Sequence, residues 1–176
     1  NKYEYGGVAY GKYVVFAQNS PYELKIYGTT PEEYASLWRS YLALDTDYNA
    51  INRAIVELTA SDHMRKCVEY GDGIRILRQE PWESVCSFII SQNNNIPRIK
   101  KIIAALCEKY GSPIKQGEAT YYSFPEAKSL YEAGEEAIFA LKTGFRAKYI
   151  IDASRSVSTG ETDLLALVNE ESFDTC

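Results

Sequence analysis

A single histidine, His63, and four cysteines without a Cys-x-x-C pair leave little for a metal ion to bind. Cys67, Cys86, Cys107 and Cys176 are scattered, and Cys86 and Cys107 fall on apolar helical positions. They read as buried free thiols in a reducing compartment, not as zinc ligands or disulfides. His63 reads as an ordinary surface residue. No apolar run is long enough to span a membrane, and no secretory signal is visible. The expectation is an intracellular protein, cytoplasmic or nucleoid-associated if bacterial, with no membrane partner. Internal repeats and low-complexity linkers are missing too. Gly71-Asp72-Gly73 lacks the rest of a phosphate-binding glycine pattern and reads as a hinge or strand entry. Asp45-Thr46-Asp47-Tyr48-Asn49 opens like a calcium loop, but Ala50 and Val56 stand where Gly and Glu are required. That stretch reads as helix capping. No metal and no cofactor are expected.

Positive charge is also scarce overall. The net charge is −5 and the pI about 5.0, which by itself argues against a nucleic-acid partner. The distribution matters more than the sum. Between Arg75 and Lys115 there are seven Lys/Arg against three Asp/Glu, while acid concentrates in residues 32–47 and 126–136. A locally basic face on an acidic protein is compatible with DNA. The length of 176 residues suits one substantial core, or one small domain plus part of another. The chain starts at Asn1 without methionine and stops at Cys176 just after a helix-start pattern. It reads as a piece of a longer protein.

What is present is organised around residues 73–110. Trp82, Val85, Cys86, Ile89 and Ile90 recur at helical spacing, and so do Ile99, Ile102, Ile103, Leu106 and Cys107. Between them lie Asn93-Asn94-Asn95, three amides that compete with the helix for backbone partners. Arg98, Lys100 and Lys101 follow. Two packed helices carrying a tip of amides and cations suit a polar, anionic partner. On the residues alone the tip also reads as a loop and helix cap, with Pro97 pre-set for the first turn.

The remaining chain is taken in order. Residues 8–16 and 22–27 are β-branched and aromatic, with turn chemistry at Gln18-Asn19-Ser20-Pro21, and predict an antiparallel hairpin. Thr30-Pro31-Glu32-Glu33 is a capping box, followed by an amphipathic helix through Leu42. Ile51, Ile55 and Leu58 predict another helix, and Ser61-Asp62 starts a short one. Gly111-Ser112-Pro113 ends the long helix. Residues 120–124 read as irregular or edge-like. Short helices are expected near 126–131 and over 135–141. From Arg146 the set Tyr149, Ile150, Ala153 and Val157 marks a further helix, and residues 162–168 the last. The fold class is therefore α+β: a small antiparallel sheet plus helix domain over 1–70, then the first part of an all-helical domain over 71–176.

Two stretches, LRQEPWESVCSFIISQNNNIPRI and Thr143-Gly144-Phe145-Arg146-Ala147-Lys148-Tyr149, resemble signatures of the 8-oxoguanine DNA glycosylase family. They stand in the family's order, and weaker similarity extends over nearly the whole chain. The resemblance implies a helix-hairpin-helix superfamily enzyme of base excision repair, a DNA N-glycosylase and AP lyase. Its partner would be duplex DNA carrying 8-oxoguanine opposite cytosine, met by a monomer. Such an enzyme swings the damaged base out of the stack, which costs a few kcal/mol of unstacking.

The resemblance makes Phe145 the wedge that fills the gap. On composition alone, Phe145 would be a core residue at a helix start. The orphaned cytosine offers two acceptors and an amino donor. Arg98 and Arg146 match the family's cations for the acceptors, and Asn93 its carbonyl for the amino group. Asn94 joins the DNA-facing set, although it and Asn95 are read as shaping the turn. Lys100 and Lys101 are phosphate contacts or solvated charge. The family's Schiff-base lysine, its glycine-rich hairpin and a later aspartate have no match, so no catalytic residue is assigned here and the chain alone is expected to be inactive. Two rivals stand beside this reading: a related glycosylase for alkylated bases, and a non-catalytic DNA-binding or protein-interaction module.

Overall fold

The computed structural model describes residues 3–20 and 23–168. Pro21, Tyr22 and Cys176, which entered the sequence reading, lie outside the described residues. The chain divides into two units, Thr29–Arg78 and the remainder.

The larger unit opens with strands β1 (Tyr3–Ala9), β2 (Lys12–Ser20) and β3 (Glu23–Tyr27), an antiparallel sheet in that order. The expected strand over 8–16 is instead a hairpin, because Tyr10 and Gly11 both take positive φ (50° and 68°). That is the geometry that lets a two-residue loop follow the twist of its strands. A second hairpin, β4 (Pro113–Gln116) and β5 (Ala119–Tyr122), puts an edge strand where residues 120–124 read as irregular or edge-like. Gly117 supplies positive φ (59°) at its first loop position. The Tyr13 and Tyr121 rings stack at 4.2 Å and join the two hairpins.

Helices form the rest of this unit. The first two are α5 (Pro81–Ser91) and α6 (Ile96–Tyr110). The Glu80 carboxylate accepts from Trp82 N and Glu83 N and so starts α5, with Pro81 in its first turn. Asn95 Oδ1 accepts from Arg98 N at 3.0 Å and starts α6. Gly111 ends α6, but in an extended rather than left-handed conformation. Glycine is needed there because a Cβ would sit 2.0 Å from Ser123 O. Then come α7 (Ala127–Ala133), α8 (Glu135–Ile138) running into a π-wound segment (Phe139–Thr143), α9 (Arg146–Ser158) and α10 (Leu164–Val168).

Trp82, Cys86, Ile90, Ile102, Leu106, Leu130, Ile138 and Ile150 are the heart of one buried cluster. Trp82 Nε1 donates to Pro125 O at 3.0 Å, so the ring is buried without an orphaned donor. The apolar faces expected for α5 and α6 are the faces that pack. The helix marked by Tyr149, Ile150, Ala153 and Val157 forms as α9, with Tyr149 itself 55% exposed. The buried row there is Arg146, Ala147, Ile150 and Ser154, at i, i+1, i+4 and i+8.

In the smaller unit Thr30 and Glu33 form the expected capping box. The helix behind it runs as α1 (Pro31–Glu33), a π-wound turn (Tyr34–Trp38) and α2 (Arg39–Tyr41). Asp47 caps α3 (Tyr48–Thr59) through Ala50 N, and Ser61 caps α4 (Asp62–Tyr70) through Met64 N. Gly71-Asp72-Gly73 turns into an irregular segment, not a strand. Arg75 pins that segment by donating to Ala43 O at 2.7 Å while lying over the Tyr48 ring.

Cys86 is buried, and burial pushes its thiol far above the ordinary value, with Glu80 and Glu83 adding to the shift. Cys107 is pushed up to about 11 by burial first and Glu83 second. Cys67 departs from the expected burial: it is exposed, with its Sγ 3.7 Å from Nε2 of exposed His63 one turn away.

Candidate nucleic-acid interface

The tip between α5 and α6 is built by its amides. Asn93 takes φ 47°, a left-handed conformation that Asn tolerates better than most residues. Asn94 donates to Ile90 O at 2.9 Å and accepts from Asn95 N at 3.0 Å. Its side chain is thus used within the tip, as is that of Asn95, the cap of α6. The Asn93 side chain is exposed and makes no hydrogen bond among the described residues. Loop, cap and polar display coexist in three consecutive residues.

The second half of the site begins where the π-wound segment ends. Thr143 Oγ1 is buried and donates to Ile138 O at 2.9 Å, closing that turn. Lys142 (φ 64°, ψ 26°) and Gly144 (φ 64°, ψ −143°) then reverse the chain. The Gly144 conformation is one that a side chain would strain. A Cβ at Gly144 would lie 3.9 Å from both Arg146 Nη1 and Arg98 Nη2. Two guanidinium groups from elements some fifty residues apart therefore flank one glycine.

They do so in different states. Arg98 is exposed, and its Nη2 donates to Lys142 O at 2.9 Å. Arg146 is 2% exposed. Its Nε donates to Gln92 O at 2.9 Å, Nη1 to Thr143 O at 3.1 Å, and Nη2 to Asn93 O at 2.9 Å and to Gln92 O. These bonds occupy four of the five N–H groups of a guanidinium and leave one, on the Nη1 nearest Gly144. Burial lowers the Arg146 pKa, and the Arg98 charge lowers it further. The carbonyls are what hold a buried cation in place.

Phe145 is 57% exposed, so it is no core residue. Its ring sits under the Arg146 guanidinium carbon at 4.5 Å and edge-on to Tyr149 at 6.3 Å. Tyr149 was not among the expected site residues. Its spacing of four from Phe145 on one helix was the available signal. Lys101 lines a cleft with Arg98 and Lys142; Lys100, one position earlier on α6, does not. Lys142 and the Gln92 carbonyl were also missed, and neither carries a sequence signal of its own. Among the expected residues, Asn93, Arg98, Phe145 and Arg146 converge, Asn94 turns inward, and Lys100 lies apart from the cleft.

Two family models match the chain: 8-oxoguanine DNA glycosylase, N-terminal domain, over residues 1–85, and HhH-GPD superfamily base excision DNA repair protein over residues 86–171. The N-glycosylase/DNA lyase of Saccharomyces cerevisiae is 46% identical over 87 residues, which is 48% of this chain and 23% of that protein. The 8-oxoguanine glycosylase/lyase of Clostridium acetobutylicum, solved in its apo form, superposes with a TM-score of 0.87 at 38% identity over 95% of this chain. In that comparison this chain covers 57% of the solved chain. The same protein solved with double-stranded DNA containing cytosine opposite 8-oxoG gives a TM-score of 0.84 at 39% identity, over 93% of this chain and 55% of that one. The chain thus spans just over half the length of these solved relatives, and about a quarter of the curated ones.

Proposed function

The chain belongs to the 8-oxoguanine DNA glycosylase family, and from that premise we propose that it is the opposite-base-reading part of a DNA glycosylase/AP lyase acting on 8-oxoguanine paired with cytosine. The observation that carries this reading is the convergence of Arg98 and Arg146 on Gly144, beside an exposed Phe145. Residues 1–70 correspond in this reading to the family's small α+β domain, and 71–176 to the first part of its helical domain. The protein acts as a monomer, inside the cell where its DNA is.

Phe145 enters the gap that the extruded base leaves. Arg146, stacked on the ring, keeps it standing out of the fold, and an apolar ring between base steps holds a kinked duplex. Arg98 gives its uncommitted N–H groups to cytosine O2 and N3. Arg146 adds its remaining Nη1 N–H and, through Gln92 and Asn93, fixes the tip that presents the Asn93 carbonyl to the cytosine amino group. A good bidentate contact is worth about 1–3 kcal/mol of discrimination. Asn94 supports the tip rather than touching DNA. Lys100 is left as solvated charge. None of the chain's own lysines is assigned to bond cleavage.

The test uses the full-length gene product with a duplex carrying a fluorescent base beside 8-oxoguanine. Phe145→Ala is expected to slow extrusion at least tenfold with an unchanged melting temperature. A variant that melts early but extrudes normally would return Phe145 to a packing role. Borohydride trapping on the same duplex checks the second half: an adduct at a lysine within residues 1–176 contradicts the assignment.

A further inference from the structure

A cleft of about 630 Å³ lies between the start of α6 and the end of the π-wound segment. Ile102, Ala105 and Leu141 contribute apolar wall, and Arg98, Lys101 and Lys142 carry the charge; no carboxylate among the described residues lines it. Arg98 Nη2 ties the two walls together through Lys142 O. In an acidic protein, a concave surface with three cations and no acid selects an anion.

Lys142 adds an independent observation. Its φ of 64° and ψ of 26° put a long β-carbon-bearing residue where glycine is the favoured choice. Left-handed strain at a non-glycine residue persists where something else offsets it, and such positions gather at ligand-binding sites. Nothing in the local hydrogen bonding requires a lysine there, since the bond to Arg98 uses only the Lys142 carbonyl, which glycine also has.

We propose that Lys101 and Lys142, with Arg98 between them, grip one backbone phosphodiester of the strand opposite the lesion. The inference rests on the reading of Arg98 as a contact of the opposite base. Arg98 borders both Gly144 and the cleft. A nucleotide whose base meets Arg98 on the Gly144 side therefore has its backbone within reach of the two lysines. The grip is independent of sequence: it sets register, while the Gly144 side reads the base.

The experiment measures binding of the full-length gene product to 8-oxoguanine:C duplex over a series of salt concentrations. Wild type is compared with Lys101→Gln, Lys142→Gly, Lys142→Gln and the double variant Lys101→Gln/Lys142→Gly. The double change is expected to reduce the slope of log K against log salt by about one, the value for a single phosphate, and each single change by a part of that. Lys142→Gly is expected to melt no earlier than wild type, because it relieves the left-handed position. A neutral methylphosphonate is then walked along the strand opposite the lesion. At one position it should abolish the difference between wild type and the double variant. Unchanged slopes, or an effect confined to the lesion strand, would overturn the proposal. So would inorganic phosphate that displaces duplex from wild type far better than sulfate at equal ionic strength, which would make the cleft a free-anion site. Repeating the series with A, G and T opposite the lesion separates the two ideas. Slopes that fall while no base preference exists sink the base-reading role alone. Intact base preference with unchanged slopes sinks the phosphate grip alone.

Discussion

The starts of α5 and α6 are built alike and charged oppositely. Each has a proline in its first turn and a side-chain oxygen as its cap, and each borders a cleft of similar size, about 470 Å³ and about 630 Å³. At α5 the cap is the carboxylate of Glu80, and the cleft beside it adds Glu83, Glu126, Tyr10 and Trp82. At α6 the cap is the neutral amide of Asn95, and the cleft adds Arg98, Lys101 and Lys142. A helix start carries partial positive charge. Glu80 neutralises it at α5, whereas Asn95 leaves it available at α6. The net charge of −5 therefore hides a local partition: carboxylates line the cleft at one helix start and cations the cleft at the other.

The largest expected effect comes from removing what holds the cationic end together. Arg146→Ala leaves the Gln92, Asn93 and Thr143 carbonyls without their donor and opens a hole at the base of the tip. A loss of about 2–4 kcal/mol in urea denaturation follows. Arg98→Ala, at an exposed residue, is expected to cost under about 1 kcal/mol. Equal losses for the two would remove the distinction between brace and reader.

Asn95→Asp turns one helix start into the likeness of the other. The added carboxylate stabilises α6 by about 0.3–1 kcal/mol through the helix dipole. It also sets an anion beside Arg98 and Lys101, so duplex affinity should fall and the salt slope flatten. An unchanged affinity would show that the start of α6 lies away from DNA.

The smallest effect probes the acidic end by pH. Burial raises the Glu83 pKa, and the neighbouring Glu80 raises it further. A carboxyl group raised on folding prefers its protonated form in the native state. Its stabilising contribution is therefore complete below the unfolded value, near 4.3, and is lost as pH climbs through the folded value. Glu83→Gln should remove this fall, so the variant gains on wild type between pH 4 and pH 7 in urea midpoints. Parallel curves for the two proteins would contradict the assignment.

Much of this partition was legible in the residues. The apolar spacing on α5 and α6 fixes which faces pack, and the run of amides between them can only be a tip. The hairpin turn at Tyr10-Gly11 was hidden because one glycine inside an aromatic run looks like a strand interruption. Only the pairing of residues 12–18 back onto 3–9 makes it a turn. Arg146 was read as a base contact, and little that is local announces its burial: three of its four bonds go to Gln92 and Asn93, more than fifty residues earlier. Phe145 went the other way, since composition favours burial for phenylalanine and the geometry of Gly144 turns it outward. Long-range closure, not local propensity, decides such positions.

The central claim is that the Gly144 side of the cationic end reads the base opposite the lesion. Binding of the full-length gene product to 8-oxoguanine paired with C, A, G and T, for wild type and for Arg98→Ala, tests it most directly. Wild type is expected to prefer cytosine, and Arg98→Ala to lose about 1–3 kcal/mol of that preference while retaining residual affinity for all four pairs. Equal weakening of all four pairs by Arg98→Ala would contradict it and make Arg98 a backbone anchor.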